Sequence, residues 1–192
     1  MTPDEIKIDI ESAACVLRNG GVILYPTDTI WGIGCDATNC KAVDRIFKLK
    51  KRSDSKAMIS LVDSFMSLEK WVTFIPEEAK KEIRDCRCPI SVIYDSPIGI
   101  CNALRAEDGS AAFRIPDLEF TRELCSILGR PIVSTSVNIS GCPSLVSFDE
   151  IDCSFFKSVD YVCRFGRDVV PKKTPSRIVK VNNAGIVTVI RP

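Results

Sequence analysis

Strand-like and helix-like segments alternate along the whole 192-residue chain, with no low-complexity linker and no internal repeat. Short apolar runs bounded by Gly, Pro or Asn indicate buried strands, whereas apolar residues spaced three and four apart indicate helices. The pattern predicts strands at 22–25, 57–62, 91–94, 111–115, 132–134, 177–181 and 186–190. It predicts helices at 10–17 (capped by Asp9), after Thr38 or Asn39, at 76–84, and at 117–128 (closed by Gly129). Such mixing favours one α/β domain over residues 1–192, with a mixed sheet.

The sequence contains no histidine. This absence excludes Ser-His-Asp and Cys-His nucleophilic catalysis as well as imidazole metal sites. Any chemistry must then rest on Lys, Arg, hydroxyl groups, carboxylates and backbone amides, which suits phosphate handling better than hydrolysis. The formal net charge is +1, so the protein as a whole has no strong electrostatic attraction for nucleic acid.

Ten cysteines raise the question of disulfides and metal sites. The first nine residues are polar and acidic and lack the apolar segment of a signal peptide, so we expect a cytoplasmic protein with reduced thiols. Cys86 and Cys88 form the one close pair in the sequence, and no CxxC spacing or histidine offers zinc ligands. We therefore expect no protein-held metal. We also expect no membrane span, because no apolar run approaches the required length of about 20 residues.

The segment 25–34, Tyr-Pro-Thr-Asp-Thr-Ile-Trp-Gly-Ile-Gly, places small polar side chains directly after a predicted buried strand. Open α/β sheets bind ligands at such strand ends. A simpler interpretation is a local turn, in which Asp28 and the threonines cap backbone amides. Gly32 and Gly34 are expected to mark a tight turn here. The residues alone leave both interpretations open.

A basic segment, 48–56, follows an amphipathic helix whose apolar residues include Val43, Ile46 and Phe47. Its cations either form a solvated surface or bind phosphate groups, with Lys as a point charge and Arg as a planar fork. Because Lys50 follows the end of the helix, we expect its side chain to point outward, away from the core. No GxxxxGK[ST] sequence is present, so a nucleotide would not be held in a P-loop.

The segment 132–141 runs from a predicted strand into alternating hydroxyl and amide side chains before a glycine. Ser136 and Asn138 lie two residues apart and would project to the same face of an extended backbone. The segment is therefore either a ligand-binding strand end or simply a strand end rich in hydroxyl groups.

Together these three segments resemble the YrdC/YciO family. Its members carry a PT[DE]TxxGxG stretch, a KxR segment beyond the next helix and a late S-x-N, which correspond to 26–34, 50–52 and 134–138 here. The strand at 111–116, Ala-Ala-Phe-Arg-Ile-Pro, also fits, and the similarity covers nearly the whole chain. The resemblance implies a single α/β domain with a twisted mixed sheet around an open concave cleft, without the further C-terminal domain that some relatives carry.

The resemblance also implies an activity, the nucleotidyl transfer that joins L-threonine, bicarbonate and ATP into threonylcarbamoyl-AMP and pyrophosphate. Other proteins then pass the threonylcarbamoyl group to a tRNA adenosine. The implied threonine contacts are Thr29, Arg114, Ser134 and Ser176. The implied nucleotide contacts are Lys50, Arg52, Lys56, Ser110, Ser136, Asn138, Ser144 and Arg191, with Lys50 and Arg52 as catalytic charges. Mg²⁺ is expected to enter on the ATP phosphates, since no protein metal motif is visible.

The sequence departs from the family pattern at four places. Ser53 and Ala57 stand where proline is common, Leu61 stands where many members have His, and 85–91 replaces a Trp-Pro-Gly-Pro-Leu-Thr-like stretch. Two alternatives to the synthase remain: a YciO-type paralogue with another substrate, and a non-catalytic protein that binds double-stranded RNA or tRNA. The hydroxyl of Ser136 and the amide of Asn138 favour catalysis over RNA binding alone, because RNA binding depends mainly on basic residues and does not need such a pair.

Overall fold

Nine strands form one mixed sheet within residues 1–51, 58–138, 147–169 and 175–192, the parts of the chain that the computed structural model describes. The strands are β1 Ile23–Tyr25, β2 Gly32–Gly34, β3 Ile59–Leu61, β4 Ile90–Tyr94, β5 Ala111–Arg114, β6 Ile132–Ser136, β7 Tyr161–Val162, β8 Arg177–Val181 and β9 Val187–Arg191. Their order is β7-β1-β2-β6-β3-β5-β4-β8-β9. The pairs β1–β7, β3–β5 and β4–β8 are parallel and the others antiparallel. The predicted mixed sheet is confirmed.

Six helices and two 3₁₀ turns accompany the sheet in the described residues. The helices are α1 Pro3–Arg18, α2 Cys40–Leu49, α3 Phe65–Leu68, α4 Glu77–Asp85, α5 Glu119–Leu128 and α6 Cys153–Ser158, and the 3₁₀ turns are Asn102–Leu104 and Phe148–Glu150. Asn39, one of the two residues predicted to cap α2, is its cap, and Gly129 ends α5 in the left-handed conformation as predicted. None of these helices is long and apolar enough to cross a membrane.

Helix α1 begins earlier than the sequence pattern indicated. The hydroxyl of Thr2 accepts a hydrogen bond from the Glu5 N–H at 3.3 Å, and the Glu5 carboxylate accepts from the Thr2 N–H at 2.7 Å. This capping box, with Pro3 in the first turn, sets the start of the helix. The prediction that Asp9 caps the helix is wrong, because Asp9 lies inside α1. Its buried carboxylate accepts hydrogen bonds from Tyr161, Arg164 and Phe165, and so fastens α1 to β7 and to the chain that follows it.

Apolar side chains cover both faces of the sheet. On one face α1 and α5 pack over β1 and β6, through Ile10, Ala13, Leu17, Phe120, Leu124, Leu128, Ile23 and Ile132. On the other face α2 packs over the same strands, through Val43, Ile46, Phe47, Val22, Leu24 and Val133. Removal of this apolar surface from water is the main contribution that stabilises the fold.

The sheet face under α1 and α5 continues into an open cleft. Leu61 and Ile132 pair in register within the apolar cluster, and Ile59 pairs with Ser134 on the same two strands. Side chains two residues apart on a strand point to the same face. Ile59 also pairs with Ala112 of β5, so this second row crosses three neighbouring strands. Beyond the helices the same face therefore carries smaller and more polar side chains that a ligand can reach.

Cys40 and Cys101 form a disulfide between the start of α2 and the loop before the Asn102–Leu104 turn. This contradicts the expectation that all the thiols are reduced. The Cα atoms lie 5.2 Å apart, a separation that a disulfide can span. The N–H of Cys101 donates to the carbonyl oxygen of Ala37 at 2.9 Å, which holds the loop against the chain entering α2. Because 61 positions separate the two cysteines, their spacing in the sequence gave no sign of the contact.

Candidate active site

A cleft of about 630 Å³ opens over this sheet face, a volume typical of small-molecule sites. The residues predicted from the sequence that line it are Thr29, Ser110, Arg114, Ser134, Ser136, Ser176 and Arg191. The apolar lining residues that the sequence analysis missed include Trp31, Met58, Ile59, Ile93, Ile178 and Ile190. Strand periodicity could have found one of them, because Ile178 lies two residues beyond Ser176.

Arg114 and Arg191 are the charged residues of the described cleft lining, which contains no carboxylate. The pKa of Arg191 is lowered, first by its partial removal from water and then by the positive charge of Arg114. The two guanidinium groups therefore both contribute positive charge to the same cleft. A cleft with this charge attracts anions, and guanidinium groups match the planar geometry of carboxylate and phosphate oxygens.

Arg114 ends β5 and forms a buried ion pair with Asp28. The two side chains are 4% and 5% exposed, and a terminal nitrogen of Arg114 lies 3.2 Å from Oδ1 of Asp28. Oδ2 of Asp28 accepts a hydrogen bond from the Asp117 N–H at 3.2 Å. The Nε–H group of Arg114 is buried and has no hydrogen-bond partner among the described residues. Asp28 thus pairs with the guanidinium by charge, and the buried Nε–H group is a donor that a ligand can satisfy.

Thr27 and Thr29 shape the turn that follows β1. The hydroxyl of Thr27 donates to the carbonyl oxygen of Ile30 at 2.6 Å and accepts from the N–H groups of Thr29 and Ile30 at 3.2 Å. The hydroxyl of Thr29 lies 3.0 Å from that of Thr27 and lines the cleft. Both interpretations of this segment, a local turn and a ligand-binding strand end, therefore hold together. Thr27 caps the turn, and Thr27 and Thr29 both line the cleft.

Gly32 and Gly34 make room for the ring of Tyr25. A tight turn was expected at these glycines, but both lie in β2, where Gly34 pairs with Ile23 and Gly32 with Tyr25. A Cβ atom on Gly34 would lie 2.6 Å from Cε1 of Tyr25 and would also collide with the carbonyl oxygen of Val133. A Cβ atom on Gly32 would lie 3.3 Å from the same ring atom. The ring occupies the space that the two absent side chains leave.

Tyr25 supports Ser134 from within the core. The ring is fully buried, and burial raises the pKa of its hydroxyl, which therefore stays protonated. This hydroxyl interacts with the side chain of Ser134 and lies 3.3 Å from the carbonyl oxygen of Val133. Ser134 lines the cleft. Tyr25 is thus a neutral residue that positions Ser134 and not a general base.

Ser110 is oriented by a carboxylate that a lysine holds in turn. Its hydroxyl and its N–H both donate to Oδ1 of Asp108, at 2.6 and 3.0 Å. Oδ2 of Asp108 accepts from Nζ of Lys180 at 2.6 Å. The hydrogen bonds from Lys180 and Ser110 lower the pKa of Asp108, which is therefore ionised at neutral pH. The sequence analysis missed Asp108 and Lys180, because no local pattern connects a loop residue with β8.

Ser176 connects β4 with the last strand. Its hydroxyl lies 3.0 Å from that of Ser91 in β4. The Arg191 guanidinium donates to the carbonyl oxygen of Ser176 from Nε at 2.9 Å and from a terminal nitrogen at 2.6 Å. These bonds fix Arg191 at the rim of the cleft.

Lys50 does not point outward, and that prediction is wrong. Its side chain is buried, with 2% exposed. Nζ donates to the carbonyl oxygen of Ser136, and to the carbonyl oxygen and Oδ1 of Asn138 at 2.9 and 3.1 Å. Lys50 follows Val43 by seven positions and Ile46 by four, so it continues the apolar face of α2. That spacing was available in the sequence and predicts the burial. A buried ammonium group then needs such oxygen acceptors.

The contacts of Lys50 order the segment after β6. The hydroxyl of Ser136 donates to Oδ1 of Asn138, which also accepts from Lys50. Ser136 lines the cleft, whereas neither Lys50 nor Asn138 belongs to its described lining. Lys50 therefore influences the cleft indirectly, because it holds Ser136 and Asn138 in place.

Three residues predicted for the nucleotide side, Arg52, Lys56 and Ser144, lie outside the described residues. Their roles stay predictions. Within the described ranges no group of three or more Cys, Asp or Glu side chains could hold a metal ion.

The sequence profile of the Sua5/YciO/YrdC family, described as "Telomere recombination", matches residues 15–192. A threonylcarbamoyl-AMP synthase from Stenotrophomonas maltophilia is 31% identical over 175 residues, which are 89% of this chain and 94% of that protein.

Two solved structures share the fold. P. abyssi Sua5 complexed with L-threonine matches with a TM-score of 0.78 and 27% identity over 89% of this chain. The chain spans 50% of that longer protein. E. coli YciO matches with a TM-score of 0.82 and 20% identity, over 97% of this chain and 89% of YciO. At this identity the second match concerns the fold alone.

Proposed function

Because this chain belongs to the Sua5/YciO/YrdC family, we propose that it is an L-threonylcarbamoyladenylate synthase. The reaction joins L-threonine, bicarbonate and ATP into threonylcarbamoyl-AMP and releases pyrophosphate. One observation carries the proposal: a single cleft holds two guanidinium groups and a row of hydroxyl groups, with no carboxylate in its described lining. Such a cleft suits one ligand with a carboxylate and another with phosphates.

We assign the threonine side of the cleft to Thr29, Arg114, Ser134 and Ser176. Arg114 has a free buried donor, and its charge suits the threonine carboxylate. The hydroxyls of Thr29 and Ser134 are held in place by Thr27 and Tyr25, so they offer fixed partners to the amino acid. Fixed partners reduce the entropy that binding must overcome.

We assign the nucleotide side to Arg191, Ser110, Ser136 and Asn138, together with Arg52, Lys56 and Ser144. Arg191 supplies a charge for phosphate oxygens, and Ser110 and Ser136 supply hydroxyl groups to the same cleft. Lys50 acts on this side by holding Ser136 and Asn138, and we place Arg52 as the catalytic charge. Mg²⁺ enters as part of the Mg·ATP substrate, because the described lining has no carboxylate that would hold it.

The reaction needs no side-chain nucleophile. The threonine nitrogen attacks the bicarbonate carbon, water leaves, and a carbamate forms. A carbamate oxygen then attacks the α-phosphorus of ATP in line with the leaving pyrophosphate. The protein has to align these atoms and neutralise the charge that develops on the phosphates, which guanidinium groups do well. The absence of histidine is therefore no obstacle.

The proposed product is a reactive adenylate that serves tRNA modification in the cytoplasm. A tRNA adenosine is its final acceptor, and separate modification proteins carry out that transfer. The net charge of +1 does not favour direct RNA binding by this chain, because phosphate contacts dominate the affinity for RNA.

Pyrophosphate release with each substrate omitted in turn tests the proposed function. We expect release to require ATP, L-threonine and bicarbonate together. Serine should replace threonine poorly but measurably, because recognition of one methyl group discriminates by only roughly 1–3 kcal/mol. Equal turnover with unrelated amino acids would instead indicate a YciO-type paralogue. No turnover, with tight and ATP-insensitive binding of duplex RNA, would indicate the RNA-binding alternative.

A further inference from the structure

Cys86 and Cys88 bring two thiols into contact at the end of helix α4. Cys86 caps the helix and its N–H donates to the carbonyl oxygen of Glu82 at 3.2 Å. The two Sγ atoms lie 2.9 Å apart, and both cysteines are free thiols. Cys88 is exposed and Cys86 is half-buried, so reagents in solution can reach the pair. The pair lies apart from the residues that line the cleft.

A purely structural role does not account for this contact. Cys86 packs in part against the core, but Cys88 is exposed, so packing does not account for a second sulfur beside the first. A structural metal site would need further ligands, and no cluster of three or more Cys, Asp or Glu groups occurs in the described parts of the chain. What remains is the chemistry of two adjacent thiols.

The two sulfurs differ in exposure and in their contact with Arg177. The pKa of Cys88 is raised, chiefly because it shares a hydrogen bond with Cys86. Cys86 interacts with the guanidinium of Arg177, and the positive charge of Arg177 also acts on Cys88. Arg177 is itself held by an ion pair with Glu82, one turn before Cys86 on α4. A guanidinium fixed beside a sulfur stabilises the negative charge that this atom carries during thiol–disulfide exchange.

We propose that Cys86 and Cys88 form a redox-active dithiol that exchanges with small-molecule disulfides such as glutathione disulfide. The Cys86 thiolate attacks one sulfur of the small disulfide, which gives a mixed disulfide and releases one thiol. The Cys88 thiolate, after giving up its proton to solvent, attacks the Cys86 sulfur and releases the second thiol. The two cysteines lose two electrons and two protons in total, and the small disulfide is reduced to two thiols.

Glutathione buffers of graded oxidation, applied to the full chain, test the proposal. After equilibration without oxygen, the remaining thiols are alkylated and each cysteine is assigned by proteolysis and mass spectrometry. We expect Cys86 and Cys88 to lose alkylation together, in one two-electron transition, with neither of them carrying glutathione. The exposed free thiols Cys15 and Cys153 serve as internal controls and should form only mixed disulfides.

Two serine variants separate the roles of the sulfurs. Cys88→Ser should retain one glutathione on Cys86, because the resolving thiol is missing. Cys86→Ser should react at Cys88 no faster than Cys15 or Cys153 react. Melting temperatures equal to that of the unmodified protein would show that both variants are folded. The proposal is overturned if Cys86 and Cys88 carry separate glutathiones in the unmodified protein or stay alkylatable throughout. It is also overturned if Cys88→Ser accumulates no mixed disulfide.

Discussion

Nζ of Lys50 lies 3.1 Å from Oδ1 of Asn138, although 88 positions separate the two residues along the chain. The contact joins the end of α2 to the segment that follows β6 and brings a positive charge under Ser136, which lines the cleft. A buried ammonium group has lost its hydration and is stable only with acceptors of this kind. Lys50 therefore contributes to the stability of the fold as well as to the site.

Replacing Lys50 with alanine should destabilise the protein by about 1–3 kcal/mol, because buried oxygens on Ser136 and Asn138 lose their donor. Urea unfolding measures the change. Lys48→Ala is the matched control, since Lys48 is an exposed lysine on the same helix, and its loss should cost less than about 0.5 kcal/mol. Equal stability of the two variants would contradict the buried role of Lys50.

Asp28→Asn should destabilise the protein by about 3–5 kcal/mol, because it leaves the buried Arg114 guanidinium without its countercharge. Thermal and urea unfolding measure the loss. Asp117→Asn is the comparison, since its ion pair with Arg122 spans 3.9 Å and its side chain is 94% exposed. That variant should change stability by less than about 0.5 kcal/mol. A similarly small effect at Asp28 would show that the buried pair does not contribute as described.

Gly34→Ala should cost about 1–3 kcal/mol and should also raise the KM for threonine. The new Cβ would press on the Tyr25 ring, which positions Ser134. Gly129→Ala provides the contrast, because Gly129 lies at the end of α5 with open space around it and a φ of 71°. It should lose about 1–2 kcal/mol through backbone strain alone. Its KM for threonine should not change. An unchanged KM for threonine in Gly34→Ala would show that Tyr25 does not influence threonine binding.

Asp108 should make stability depend on pH in the acid range. Its pKa is lowered in the folded protein, so its contribution is complete above the unfolded-state value of about 3.9 and is lost as the pH falls toward the folded-state value. Asp108 is exposed, so the contribution should not exceed about 1 kcal/mol. Urea unfolding of the unmodified protein and of Asp108→Asn should differ at neutral pH and converge below about pH 4. If the difference in unfolding free energy between the two proteins grew as the pH fell, the stabilising role of ionised Asp108 would be contradicted.

Local signals in the sequence predicted much of the fold. Asn39 before an amphipathic run and Gly129 after another gave the correct ends of α2 and α5, because caps depend on a few adjacent residues. The Thr-Pro-Asp-Glu start of α1 carried an equally local signal, which the polar character of the segment obscured. Most of the predicted strands were found within one or two positions of their expected bounds.

Contacts between distant parts of the chain were not predictable in the same way. The Cys40–Cys101 disulfide and the hydrogen bond from Lys180 to Asp108 depend on where loops lie against the rest of the fold. The spacing of residues along the sequence does not contain this information. The predicted hydroxyl groups and Arg114 did reach one cleft, because strand ends on one sheet face converge. For Lys50 the signal was present in the sequence but was misinterpreted. Its charge suggested exposure, although its spacing along α2 placed it on the apolar face.

Product analysis with ¹³C-labelled bicarbonate tests the central claim most directly. The purified full chain is incubated with Mg·ATP, L-threonine and labelled bicarbonate, and the nucleotides are separated at once and examined by mass spectrometry. The account predicts an adenylate that contains threonine and one ¹³C atom, formed in amounts equal to the pyrophosphate released. An adenylate without the label, or pyrophosphate released with no threonine-containing nucleotide, would contradict it.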